Sequence, residues 1–182
     1  MTILKTSIDY LNNKINEANI FDRIYGLCEL IKSPNDNFWG YYIGNGQYES
    51  INNFDANNAT LFWSKRSTVN ITKFDSLSTT GCIQMYKTIF PLNLYVIANK
   101  SALICDNETS ADWLANAIFK LISGKDSIFK KEISVSLFEV IPMSYSTEVK
   151  NIISNYNYAT LEMKIDIEIV SSSKESCYDF CI

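Results

Sequence analysis

The sequence predicts an α+β fold: a mostly antiparallel sheet with helices packed on one face. Three observations carry this. First, 11 Tyr, 10 Phe and abundant β-branched Ile suit a pleated, half-buried surface. Second, Ala159 to Val170 alternates without a break: Ala159, Leu161, Met163, Ile165, Ile167 and Ile169 are apolar, and Thr160, Glu162, Lys164, Asp166 and Glu168 are polar. That is a strand with one face in a core and a firm register. Third, three segments repeat at helical spacing instead, and segregated strands with helices on one face are the α+β pattern.

The chain opens with a helix. Leu4, Ile8, Leu11 and Ile15 form one apolar stripe, with Lys5, Asp9, Asn12 and Asn16 off it. Asn19 is its stop. A strand at 23–32 puts Tyr25, Leu27 and Ile31 on one face and Ile24, Cys28 and Leu30 on the other, which suits a central strand. Pro34-Asn35-Asp36-Asn37 ends it. Phe38 to Ile43 and Gln47 to Ile51 flank Gly44-Asn45-Gly46, residues that tolerate positive φ, so a hairpin is expected.

Residues 52–58 read as loop, 60–71 as extended and 76–81 as a polar loop. The apolar segment 83–98 is a strand that bends or breaks at Pro91. Thr109-Ser110-Ala111-Asp112 is a capping-box pattern. It opens a second helix with Trp113, Leu114, Ala117, Ile118, Leu121 and Ile122 on its apolar face and Gly124 as its cap. A strand at 133–140, a short helix at 147–156 and the alternating strand complete a single domain over 1–170. Residues 171–182 form a tail, with Tyr178 and Phe180 as candidate anchors.

Composition narrows the chemistry. The 182 residues contain no His, which removes Ser-His-Asp and Cys-His catalysis and the usual His-containing zinc sites. There is no GxGxxG or GxxxxGK[ST] phosphate cradle, and no motif pairs the dispersed carboxylates. The expectation is therefore no enzyme and no cofactor. A net charge of −4, with only the small basic groups Lys65-Arg66-Lys73 and Lys125-Lys130-Lys131, lacks the footprint of a nucleic-acid binder. No apolar run reaches the roughly 18 residues of a membrane span, and no signal-peptide core opens the chain, so folding in the cytoplasm is expected. Of the five cysteines, Cys28, Cys82 and Cys105 sit in apolar surroundings and read as core thiols. Cys177 and Cys181 form C-x3-C in the polar tail; a disulfide and a metal both stay open there, with no CxxC partner or histidine to favour the metal.

The stretch 38–66 is aromatic, amide-rich and full of turns. Trp39, Tyr41, Tyr42 and Tyr48 are of the types enriched at interface cores. They serve equally well as cross-strand pairs of an ordinary hairpin or as a projecting contact surface. The charged face of 159–170 is either solvated or set against a neighbouring subunit.

The element order, together with the pieces GLCELIK at 26–32, YYIGNGQYESINNFD at 41–55, LFWSK at 61–65 and IDIEIV at 165–170 before a Cys-containing tail, resembles the phage tail-terminator or tail-completion fold. It is similar to small connector proteins of phages of gut Bacteroidetes, including the crAss-like phages. The resemblance implies a structural virion protein without an active site. Folded in the host cytoplasm, six or twelve copies would form a ring in the head–tail neck, between a portal-side adaptor and the tail. DNA would pass through the lumen without specific binding, and no membrane would be involved. Candidate subunit-interface residues are Trp39, Tyr41, Tyr42, Asn45 and Tyr48 of the hairpin, the loop 52–58, and Lys65 and Arg66 facing a neighbour's Asp106 and Glu108. The rival reading is a small acidic protein-binding module of inhibitor or immunity type, acting as a monomer or dimer.

Overall fold

The computed structural model describes residues 3–32, 37–51, 59–78, 81–99, 110–128, 131–142 and 158–172. Among these residues two helices, α1 (Ile3–Asn16) and α2 (Ser110–Ile122), accompany nine strands. The strands are β1 (Arg23–Lys32), β2 (Asn37–Gly44), β3 (Gln47–Ser50), β4 (Thr60–Lys65), β5 (Asn70–Ser78), β6 (Gly81–Asn99), β7 (Lys125–Ile128), β8 (Lys131–Pro142) and β9 (Tyr158–Ser172). They form one sheet in the order β3-β2-β1-β4-β6-β9-β8-β7, with β5 also paired to β6. Only β1 with β4 is parallel; the other described pairings are antiparallel. The α+β, mostly antiparallel expectation describes this architecture.

β6 is the spine. On one side it pairs with β9 in a single unbroken register, from Met85 opposite Ser172 to Asn99 opposite Tyr158. On the other side it pairs with two strands in turn. β5 runs beside its first half, to Asn70 opposite Ile89, and β4 beside its second, from Lys65 opposite Leu92. Residues 66–69 therefore stand opposite Phe90 and Pro91. The Pro91 carbonyl accepts from the Arg66 N–H at 3.0 Å, and in a strand the N and C=O of one residue face the same side. The missing N–H of Pro91 thus falls where the ladder changes partner. The strand does not break at Pro91, because proline at this gap costs no ladder bond. The same arrangement corrects two other expectations. The extended 60–71 segment is two strands, and β5 continues through the segment 76–78 that read as loop.

The main core holds the buried stripe Leu4, Ile8, Leu11 and Ile15 of α1 and Leu114, Ala115, Ile118 and Ile122 of α2. It also holds strand residues of one parity: Leu61 and Trp63; Leu92, Leu94, Val96 and Ala98; and Leu161, Met163, Ile165, Ile167 and Ile169. Asn12, off the apolar stripe, joins three elements. Its Oδ1 accepts from the fully buried Trp63 indole at 2.7 Å, and its Nδ2 donates to the Tyr25 carbonyl at 3.2 Å. Helix ends follow the sequence. Asn19 has φ 52° and Gly124 has φ 123°, conformations that Asn and Gly reach most readily.

The opposite parity builds a second, aromatic layer of Cys28, Ile51, Phe62, Tyr95 and Ile97, with Tyr25, Trp39 and Tyr41 packed against it. β2 and β6 are three places apart in the sheet, about 14 Å if it were flat. The Trp39 ring nevertheless lies 5.2 Å from Tyr95 and 5.4 Å from Phe62. The β1–β3 end therefore curls over this face. The bend is in β1, whose first half pairs with β4 and whose second half pairs with β2, with a bulge between Ile24 and Leu27. The bulge also corrects the expected faces of β1. Ile24 and Leu27 join the main core, whereas Tyr25 and Cys28 join the aromatic layer; the extra residue shifts a strict alternation by one.

The edge strand β7 carried no signal in the sequence. The short helix at 147–156 and the capping Thr109 lie outside the described residues, as do Cys105, Cys177 and Cys181. Among the described residues no helix is long and apolar enough to cross a membrane.

Asn12→Ala strands the Trp63 indole N–H in the core. The expected loss is about 1–3 kcal/mol of unfolding free energy, read by urea titration of tryptophan fluorescence. An unchanged midpoint would show that Trp63 finds another acceptor.

Candidate contact surface on the aromatic hairpin

Local geometry fixes the hairpin. Asn45 and Gly46 both take positive φ, 51° and 75°, the backbone of a type I′ turn whose twist suits the flanking strands. Gly44, at φ 105°, follows the register shift between Tyr42 and Gly44. The Tyr42 hydroxyl accepts from the Gly46 N–H at 3.3 Å, tying the turn back onto its own strand.

Tyr42 and Tyr48 face each other across the hairpin, rings 5.3 Å apart and tilted by 59°. The Tyr48 hydroxyl donates to Glu29 Oε2 at 3.3 Å. Desolvation against the sheet, then the Glu29 carboxylate, raise the Tyr48 phenol above its ordinary range. Gly40 makes this packing possible. A Cβ there would lie 2.9 Å from Ile31 Cγ1 and 3.1 Å from Tyr48 Cβ.

Between this face and the first half of α1 lies a half-open groove of about 360 Å³. Leu4 and Ile8 form its helical wall, Tyr42 and Tyr48 its phenolic wall, and Glu29 and Lys65 add charge. Such a groove can take an apolar or aromatic side chain and fix it by hydrogen bonds. Among the described residues no cluster of three or more Cys, Asp or Glu has the geometry to hold a metal ion.

The structure divides the sequence candidates. Tyr41, Tyr42, Tyr48 and Lys65 line the groove together. Asn45 is the exposed turn. Trp39 points to the other face, packed on Phe62 and Tyr95, and Tyr41 packs its ring 5.6 Å from Tyr25. Arg66 reaches Asp166 of its own chain at 2.5 Å. Asp106, Glu108 and the loop 52–58 lie outside the described residues. Sequence reasoning missed Glu29, Leu4 and Ile8 as groove residues. Glu29 alone had a signal, a carboxylate within an otherwise apolar strand.

The charged face of β9 is occupied from within the chain. Besides Arg66–Asp166, Lys87 meets Glu168 and Lys164 meets Glu139, each at 2.6 Å. Exposed pairs of this kind contribute about 0–1 kcal/mol each, so their main effect is to satisfy charge locally.

Compared with known proteins, the chain matches no family model, and no curated protein matches it.

Gly40→Ala is expected to cost about 1–3 kcal/mol of stability by overpacking and to displace Tyr48, seen as loss of the Tyr42–Tyr48 ring contact by NMR. Full stability in the variant would mean that Tyr48 is not held against Gly40.

Cys28 gives a pH test. Burial pushes its thiol from 9.0 up to about 12, so the folded state holds this proton more tightly than the unfolded state. The stability it confers is complete below pH 9.0 and is lost as pH rises toward about 12. Tyr25 and Tyr95, raised chiefly by burial, add the same sign. The urea midpoint should therefore fall above pH 9.0, and less steeply in Cys28→Ala. Equal slopes would place the alkaline sensitivity elsewhere.

Proposed function

We propose that this chain is a structural subunit of a phage head–tail connector, six or twelve copies forming a ring in the neck between a portal-side adaptor and the tail. The observation that supports this best is the character of the β1–β3 unit. It is packed on an aromatic layer beneath it, yet it leaves Leu30, Tyr42 and Ile43 49%, 52% and 55% exposed. Large exposed apolar side chains on a packed hairpin favour contact over chemistry. The resemblance of the sequence to tail-terminator proteins supplies the kind of assembly. A ring closes through head-to-tail interfaces made of two different surfaces, and the hairpin with its groove is one such surface.

Charge supports the same reading. The net charge is −4, and Arg66, Lys87 and Lys164 are matched by carboxylates of their own chain. A lumen built from such subunits lets DNA slide without gripping it, because tight binding would need uncompensated cations along the backbone.

The deciding experiment is quantitative mass spectrometry of purified virus particles, counting this chain against the portal protein. A fixed ratio near one-half or one per portal subunit is expected. Absence from the particle would overturn the connector reading and favour the acidic binding module. Within an assembled ring, Ile43→Asp should weaken subunit association about tenfold or more, as for a central apolar contact, with the thermal midpoint unchanged. Undiminished association would remove the hairpin from the interface.

A further inference from the structure

We propose that two copies of this chain pair edge to edge through β5, antiparallel and centred on Phe74. β5 pairs with β6 on one side, and among the described residues no strand pairs with its other side. Residues 69–74 are exposed, on both faces of the sheet. Ile71 is 60% exposed and Phe74 39%. A long edge carrying exposed apolar residues is a template for another strand.

The sequence of the strand selects a second copy as that partner. β5 reads Asn-Ile-Thr-Lys-Phe-Asp-Ser-Leu-Ser. Outward from Phe74 the matched positions are Lys73 and Asp75, Thr72 and Ser76, Ile71 and Leu77, and Asn70 and Ser78. Antiparallel self-pairing about Phe74 sets each residue opposite its match, twice over. The register thus matches a cation with a carboxylate, hydroxyl types with each other and aliphatic types with each other, the residue pairings that stabilise neighbouring strands. Other registers are worse. The dyad must be perpendicular to the sheet, so it passes through a residue. Centred on Lys73 it would set Lys73 against Lys73. Centred on Thr72 it would set Ile71 against Lys73 and Asn70 against Phe74.

The backbone is in phase with this pairing. The Pro91 carbonyl faces the β4–β5 side of β6. Alternation back along β6 then turns residues 89, 87, 85, 83 and 81 toward β5, opposite 70, 72, 74, 76 and 78. Residues 71, 73, 75 and 77 therefore turn their N–H and C=O groups to the open edge. In the Phe74-centred register these face one another, 71 with 77 and 73 with 75, and Phe74 meets Phe74 at a position without inter-strand hydrogen bonds, where side chains approach most closely.

A dyad contact closes on two copies and cannot propagate round a ring. The pairing is thus separate from a connector's head-to-tail interface and does not rest on that reading. The test uses the full chain in sedimentation velocity. The wild type is expected to dimerise. Lys73→Asp and Asp75→Lys each place like charges opposite one another twice and should weaken the dimer about tenfold. An equimolar mixture of the two variants should regain wild-type affinity as a heterodimer, and so should the double variant alone. The recovery on mixing separates lost pairing from lost folding. A chain that stays monomeric to its solubility limit overturns the proposal, as does a dimer or ring indifferent to both single changes. A ring of that indifferent kind would leave the connector reading standing, and a charge-sensitive dimer absent from virus particles would do the reverse.

Discussion

Pro91 has no N–H to give, and the sheet is arranged so that none is required. It sits within a strand of 19 residues that would otherwise need a continuous partner on each side. β9 supplies one side without interruption. On the other side the proline coincides with the change from β5 to β4, and its carbonyl is taken by Arg66. Because the chain steps away from β6 there and returns, β4 and β5 acquire different fates. β4 continues into the curled part of the sheet beside β1, whereas β5 runs beside the first half of β6 with no strand on its other side among the described residues.

The curled part depends on a second constraint, the need of a buried indole for an acceptor. Trp63 is fully buried and donates to Asn12, and the same amide holds the Tyr25 carbonyl of β1. Both ends of one side chain thus fix α1 against two neighbouring strands. The bulge that follows Ile24 turns β1. Through this turn the hairpin comes to rest with Trp39 over Phe62 and Tyr95. The groove between α1 and the hairpin is a consequence of these two anchors, because its walls belong to elements they position.

Carboxylates and amines on the face of β9 find one another within the chain, while among the described residues the large exposed apolar groups lie on the β1–β3 unit and on and just before β5. A protein that associates through such patches gains from burying them and gives up few ion pairs in doing so.

Local physics made much of this legible in advance. The alternation of Leu161 to Ile169, the stripe of Leu4, Ile8, Leu11 and Ile15, and the Asn45-Gly46 turn are each settled by residues close in sequence, so the α+β class, the last strand and the hairpin could be read from the chain. The hairpin could equally be read as a place of contact, but its two faces could not be told apart. Only tertiary structure decides that Trp39 turns inward while Tyr42 stays exposed, because that choice follows from the bulge in β1 and the curl of the sheet. The same holds for Pro91. The sequence signals a break, and the fold removes it by placing the change of partner strand at that residue. Side-chain period and turn chemistry are properties of neighbouring residues and belong to the sequence. Which strands pair with β6, which cation meets Asp166 and which strand faces a proline depend on residues far apart in the chain, and three-dimensional packing settles them.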